Sequence, residues 1–191
     1  MSAAADLSAP PRPALFLDRD GVVNEETEYL YRRQDVRWVE GIHSLLRAAQ
    51  ELGFVPVVVT NQSGIARGYY TEDDFHALMR WMRDELRAAG TPVDAVYFCP
   101  FHPRATVAAY CLESNERKPA PGMMLRAARE LGLDLRRSVM VGDRCSDVAA
   151  GRAAGVRECF LLRGTENAVC PQPHIAVASL AEVEHWLRAT R

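Results

Sequence analysis

Two aspartates stand either side of an arginine and before a glycine, Asp18-Arg19-Asp20-Gly21, immediately after the apolar run Ala14 to Leu17. A carboxylate is a weak base but an adequate nucleophile toward phosphorus, provided a cation cancels its repulsion from the phosphate. Magnesium meets that need through oxygen ligands in octahedral geometry. Asp18 and Asp143, the latter from Gly142-Asp143-Arg144, would supply two of them if the fold brings them together. Asp20 is placed to protonate a leaving oxygen as general acid and then to activate water as base. The Thr60 hydroxyl and the backbone N–H groups of the Asn61-Gln62-Ser63-Gly64 turn are phosphate donors. Lys118, in Arg117-Lys118-Pro119, can neutralise charge building on the transferring group and on Asp18. Arg144, beside Asp143, is a candidate substrate contact.

Each piece alone has a plainer reading. Acidic residues beside glycine are common in turns, Asp143 could cap a helix, and Lys118 could be a solvated lysine. Their joint placement points to phosphoryl chemistry, because the clusters follow predicted strands, and ligands of open α/β sheets bind at the carboxyl ends of strands.

The elements that must position them alternate short apolar runs with helical patterns, which predicts an α/β fold with a mainly parallel sheet in a three-layer sandwich. Strands are expected at Ala14 to Asp18, Phe54 to Thr60, Val93 to Phe98, Ser138 to Val141 and Glu158 to Leu162, with Ile175 to Val177 as an edge strand. Helices are expected from Ile42 to Gly53, from Thr71 with Asp74 as a capping pair, over Gly122 to Leu131, over Asp147 to Ala154, and after Ser179 with Glu182 as a second capping box. The stripe Phe75, Leu78, Met79, Met82 and Leu86 reads as core. Cys99 to Pro119 reads as a long loop, and a loop of that length in a compact domain is usually functional or disordered.

Composition bounds the function. At 191 residues the chain predicts one domain over residues 14–191, and its 48% hydrophobic content is enough for a packed core. A net charge of -2 gives no global field for nucleic acid or an anionic membrane. Residues 1–13, small and polar with three prolines, are expected to be a disordered tail. The five cysteines are odd in number and scattered, which fits a reducing, cytoplasmic setting. A monomer is expected.

FLDRDGVVN, VVVTNQSGIARG, RKPAPGM and MVGDRCSD resemble the four motifs of the haloacid dehalogenase phosphatases. Within that family they are most similar to the branch acting on heptose bisphosphates and histidinol phosphate, over about Ala14 to Leu162. The resemblance implies Asp18 as nucleophile and Asp20 as acid/base. It implies magnesium held by Asp18, Asp143 and the backbone carbonyl of Asp20. It further implies phosphate contacts from Thr60, Asn61 and Lys118, an orienting role for Arg117, and sugar contacts from Asn24, Glu26 and Tyr29. The substrate it implies is D-glycero-D-manno-heptose 1,7-bisphosphate, losing its C7 phosphate on the way to lipopolysaccharide heptose. Histidinol phosphate or another small sugar phosphate is the rival substrate, and a non-catalytic phosphate-binding protein is the rival class.

Many members of that family carry a structural zinc in the long loop. Here Phe101, Ser114 and Glu116 stand at ligand places. Cys99, His102 and Cys111 offer three donors where structural zinc takes four, so a metal-free loop is expected. No large cap is inserted, so selection of the substrate is expected to fall to residues 25–33 and 99–119.

Overall fold

The computed structural model describes residues 10–162 and 170–190. Residues 1–9 of the expected tail lie outside them. Its inner end is engaged: Arg12 forms a parallel bridge to Leu133, and the Pro13 carbonyl accepts from Val55 N–H at 2.8 Å.

The strands are β1 (Ala14–Leu17), β2 (Val55–Asn61), β3 (Ala95–Cys99), β4 (Val139–Gly142), β5 (Glu158–Leu162) and β6 (Ile175–Val177). They form one sheet in the order β3-β2-β1-β4-β5-β6, parallel throughout. The helices are α1 (Ile42–Glu51), α2 (Ser63–Ala66), α3 (Glu72–Ala88), α4 (Gly122–Leu131), α5 (Cys145–Ala154) and α6 (Leu180–Ala189). All of β1 is buried, as a strand covered on both faces must be.

Alternation along the strands divides the core into two. Leu15, Leu17, Val58, Val139, Val141 and Phe160 face α1, α3 and α6. Ala14, Phe16, Val57, Val59, Met140 and Cys159 face α4 and α5. Side chains of successive strand residues point to opposite faces, so these apolar runs fill both layers of a three-layer sandwich. Its central strand pairs with β2 on one side and β4 on the other, and the crevice at that point lies above the carboxyl end of β1.

Helix starts differ in how far local chemistry sets them. Thr71 accepts from Asp74 N–H while the Asp74 carboxylate accepts from Thr71 N–H, a complete capping box for α3. At α6 the expected box does not form: Ser179 makes no side-chain cap bond, and Glu182 accepts instead from Ala178 N–H. The long loop is pinned by Thr106 and Val107 N–H groups donating to the Ala66 carbonyl and by Tyr110 O–H donating to Glu72.

Cys145 and Cys170 are joined in a disulfide, with Cα atoms 5.2 Å apart. Scattered spacing did not foretell this pair, because only the stacking of β4, α5, β5 and β6 brings the start of α5 to the segment before β6. Cys99, Cys111 and Cys159 are free thiols. Among the described residues no helix is long and apolar enough to cross a membrane.

Candidate functional site

A cavity of about 470 Å³ opens above the carboxyl ends of β1, β2 and β4. Its floor is ionic. Asp18 follows β1, and Lys118, only 3% exposed, is within 2.9 Å of the Asp18 carboxylate and 2.6 Å of Asp147. The ammonium also donates to the Val59 carbonyl at 2.9 Å. Three fixed acceptors leave it little freedom, so it acts as a positioned charge rather than a mobile one. Asn61 holds the backbone of that lysine: its Oδ1 accepts from Lys118 N–H and its Nδ2 donates to the Lys118 carbonyl. The Asn61 side chain is thus a brace for Lys118, and Asn61 also lines the cavity.

Carboxylate oxygens of Asp18, Asp143 and Asp147 lie within 4.8 Å of one another, the one such ligand group among the described residues. Burial pushes Asp18 up to about 8, with Lys118 opposing and Asp147 reinforcing the rise. Burial and the charge of Asp147 push Asp143 up to about 7. Burial works against the Lys118 charge, but Asp147 and Asp18 outweigh it and hold that ammonium above its ordinary range. When ionised, three carboxylates facing one ammonium leave uncancelled negative charge, and Asp143 Oδ1 is buried with no hydrogen-bond partner. An all-oxygen set with an orphaned buried carboxylate oxygen fits a hard divalent cation. Gly21 makes room for the Asp143 carboxylate: its φ is +79°, and a Cβ there would fall on that group.

Asp20 sits beside this floor and is held from three directions. Arg19, buried to 1% exposure, grips it through Nε at 3.0 Å and through Nη2 at 2.8 Å to each oxygen. Asn24 Nδ2 donates to it at 3.0 Å and Gln62 Nε2 at 3.3 Å. Asn24 is therefore not a wall of the cavity: it is fully buried, and the sugar contact expected of it is replaced by this bond. Spacing does not reveal Arg19 as a partner of Asp20. The indirect sign was an arginine between two aspartates, buried under the α3 stripe, where its guanidinium lies 5.7 Å from the Phe75 ring.

The rim is looser. Glu26 meets Arg144 at 3.3 Å, and both line the cavity with Tyr29, Arg67, His102 and Arg117. Arg117 Nη1 donates to Ser63 Oγ at 3.1 Å and to the Phe101 carbonyl at 3.2 Å. Tyr29 adopts φ 56° and packs its ring 4.4 Å from that of Tyr69, with the Arg67 guanidinium 5.9 Å from the Tyr29 ring. Arg67 was absent from the candidates because nothing in its spacing separates it from a solvated arginine. The zinc candidates are not brought together: Cys99 Sγ faces the Phe101 carbonyl, Cys111 Sγ the Pro103 carbonyl, and His102 Nδ1 accepts from Arg104 N–H.

Comparison with known proteins agrees with this geometry. A family model described as HAD-hyrolase-like matches residues 115–183. A D-glycero-alpha-D-manno-heptose-1,7-bisphosphate 7-phosphatase of Burkholderia mallei is 46% identical over 88% of this chain and 85% of its own. The beta-anomer counterpart of Rhodopseudomonas palustris is 48% identical over 78% and 83%. A putative HAD-like phosphatase of Mesorhizobium loti superposes with a TM-score of 0.85 at 37% identity, over 95% and 87% of the two chains. D,D-heptose 1,7-bisphosphate phosphatase of B. bronchiseptica, solved with magnesium and phosphate, gives 0.78 at 29% identity, over 94% and 99%. On these likenesses the chain belongs to the haloacid dehalogenase-like phosphatases, in the branch of the heptose-bisphosphate enzymes, and is a phosphoric monoester hydrolase.

Proposed function

We propose that the protein removes the C7 phosphate of D-glycero-D-manno-heptose 1,7-bisphosphate through an aspartyl-phosphate on Asp18, a step toward lipopolysaccharide heptose. The observation that carries this reading is the pairing of a buried Asp18–Lys118–Asp147 floor with a rim bearing Arg67 and Arg117. One phosphate meets the nucleophile on the floor. The other needs cations at a distance, and guanidinium groups bind phosphate in a fixed fork.

Asp18, Asp143 and the Asp20 carbonyl would hold Mg2+, which when bound supplies the positive charge that lets a carboxylate approach a phosphate. Asp18 attacks phosphorus and the phosphorus–oxygen bond to the sugar breaks. Asp20 delivers its proton to that oxygen. Lys118 and the Thr60 hydroxyl stabilise charge on the transferring group. Water then attacks the aspartyl-phosphate, Asp20 accepts its proton, and phosphate leaves with Asp18 restored.

Comparison of kcat/KM for both anomers of the bisphosphate with that for histidinol phosphate tests the substrate. A 100-fold preference for one bisphosphate anomer, about 2.7 kcal/mol of transition-state discrimination, is expected. A preference for histidinol phosphate would overturn the substrate and leave the phosphatase chemistry standing.

A further inference from the structure

Gln62 stands within the turn expected to bind phosphate and lines the cavity, yet it is only 2% exposed and both ends of its amide are engaged by neighbouring side chains. Its Nε2 donates to Thr60 Oγ1 at 2.8 Å and to Asp20 Oδ2 at 3.3 Å, while its Oε1 accepts from Tyr70 O–H at 2.5 Å. An amide has two ends that differ only in donor and acceptor character. The ionised carboxylate of Asp20 only accepts and so selects the NH2 end, but once protonated it can donate, and a flipped amide could then be held there by its carbonyl. Tyr70 prevents it, because its hydroxyl donates to the oxygen end. We propose that Tyr70 and Gln62 are a positioning pair that orients Asp20 and Thr60 for phosphoryl transfer, with Gln62 acting on these two residues rather than on substrate.

Two consequences follow for the reacting groups. By donating to Thr60 Oγ1, the amide occupies an acceptor position of that hydroxyl and leaves its proton free to point at a phosphate oxygen. By donating to Asp20 Oδ2, it adds a contact on the oxygen that Asn24 does not bind, so both oxygens of the carboxyl are located. The pair is itself anchored. Burial pushes the Tyr70 phenol up to about 12, so it stays a donor throughout the working pH range. Its ring stacks on Tyr31 at 5.5 Å with an interplanar angle of 15°. Gly64 is required beneath it, since a Cβ there would overlap the Tyr70 ring.

The inference rests on the phosphohydrolase reading of the same site, and the test separates the two. Leaving groups differ in their need for an acid: an alkyl alcohol leaves only with a proton, whereas p-nitrophenolate leaves without one. The kcat/KM values of Tyr70→Phe and Gln62→Met are measured with glycerol phosphate and with p-nitrophenyl phosphate. Tyr70→Phe is expected to lose about 10-fold on the alkyl ester and Gln62→Met about 100-fold, with KM nearly unchanged, while on the aryl ester, where the Thr60 contact still counts but the acid does not, both losses are at least about threefold smaller. The double variant should be no worse than Gln62→Met alone, because Tyr70 acts through Gln62. Equal losses on both esters, or losses that multiply in the double variant, would overturn the proposal and leave the phosphatase reading intact. A wild type inactive on both esters would overturn both. Tyr70→Phe keeps its ring on Tyr31, so it decides the question even where thermal unfolding shows Gln62→Met to be misfolded.

Discussion

The floor and the rim of the cavity are built in opposite ways. On the floor, Lys118 contacts two carboxylates and a carbonyl while 3% exposed, and Asp20 is held by Arg19, Asn24 and Gln62. On the rim, Glu26 and Arg144 meet through a half-exposed pair at 3.3 Å, and Tyr29 keeps an unusual left-handed backbone to lay its ring on Tyr69. In the proposed mechanism the floor performs chemistry common to any phosphomonoester, which needs charges fixed in a low-dielectric setting. The rim must admit and release one particular substrate, and an open surface of exposed side chains suits that task. Damage to the floor should therefore abolish turnover of every substrate, and damage to the rim should change only the ranking among substrates.

The largest effect is expected at Asp18. Asp18→Asn keeps the shape and removes the nucleophile, so kcat should fall by at least about 10⁴-fold on any ester. Circular dichroism should show the fold unchanged; retained turnover would remove Asp18 from the mechanism. Asp143→Asn comes next. It takes away the carboxylate with the orphaned buried oxygen, and the magnesium concentration for half-maximal rate should rise by more than about tenfold. An unchanged metal titration would exclude Asp143 from the ligand set.

The floor also makes stability depend on pH and metal, which the rim should not. Burial first, and then neighbouring carboxylates, raise Asp18 to about 8 and Asp143 to about 7 from an ordinary value of 3.8. The metal-free folded state thus binds more protons than the unfolded chain. Its extra stability is fully present below about pH 4 and is lost as pH rises toward 7 to 8, a change on the order of a few kcal/mol. Magnesium bound only to the folded state should restore most of that loss at pH 8. Thermal melts at pH 5 and pH 8, with magnesium and with chelator, check this, and a metal-free protein equally stable at both values would contradict it.

Legibility followed the same division. Asp18, Asp20, Asp143 and Lys118 stood out because strand ends are visible as apolar runs that stop at polar clusters, and the structure brings these residues together at one end of the sheet. The boundaries of α4, β5 and β6 were equally plain, since Gly122 to Leu131 is a clean helical period and Glu158 to Leu162 and Ile175 to Val177 are short β-rich runs. Where an amide points was not readable: Asn24, Asn61 and Gln62 all looked like ligand contacts and all brace other residues. The Cys145–Cys170 disulfide and the Arg19–Asp20 grip depend on packing between elements, which spacing along the chain does not encode. The box at Ser179 did not form, and the Glu182 carboxylate accepts from Ala178 N–H, one residue earlier.

The smallest effect is the one that most sharpens the contrast. Arg67 lines the rim, touches no carboxylate of the floor, and lies over the Tyr29 ring. Arg117 is better held, by Ser63 and the Phe101 carbonyl, and burial moves its guanidinium below the ordinary range, with Arg67 adding to the fall. Two guanidinium groups that repel one another gain most when an anion lies between them, so a second phosphate is worth more to this rim than any neutral group. Arg67→Ala should then lower kcat/KM for the bisphosphate by about 10-fold, some 1.4 kcal/mol, and leave a simple monophosphate ester within about threefold. If both substrates fall together, Arg67 belongs to the floor in effect if not in position, and the division of labour drawn from the geometry fails.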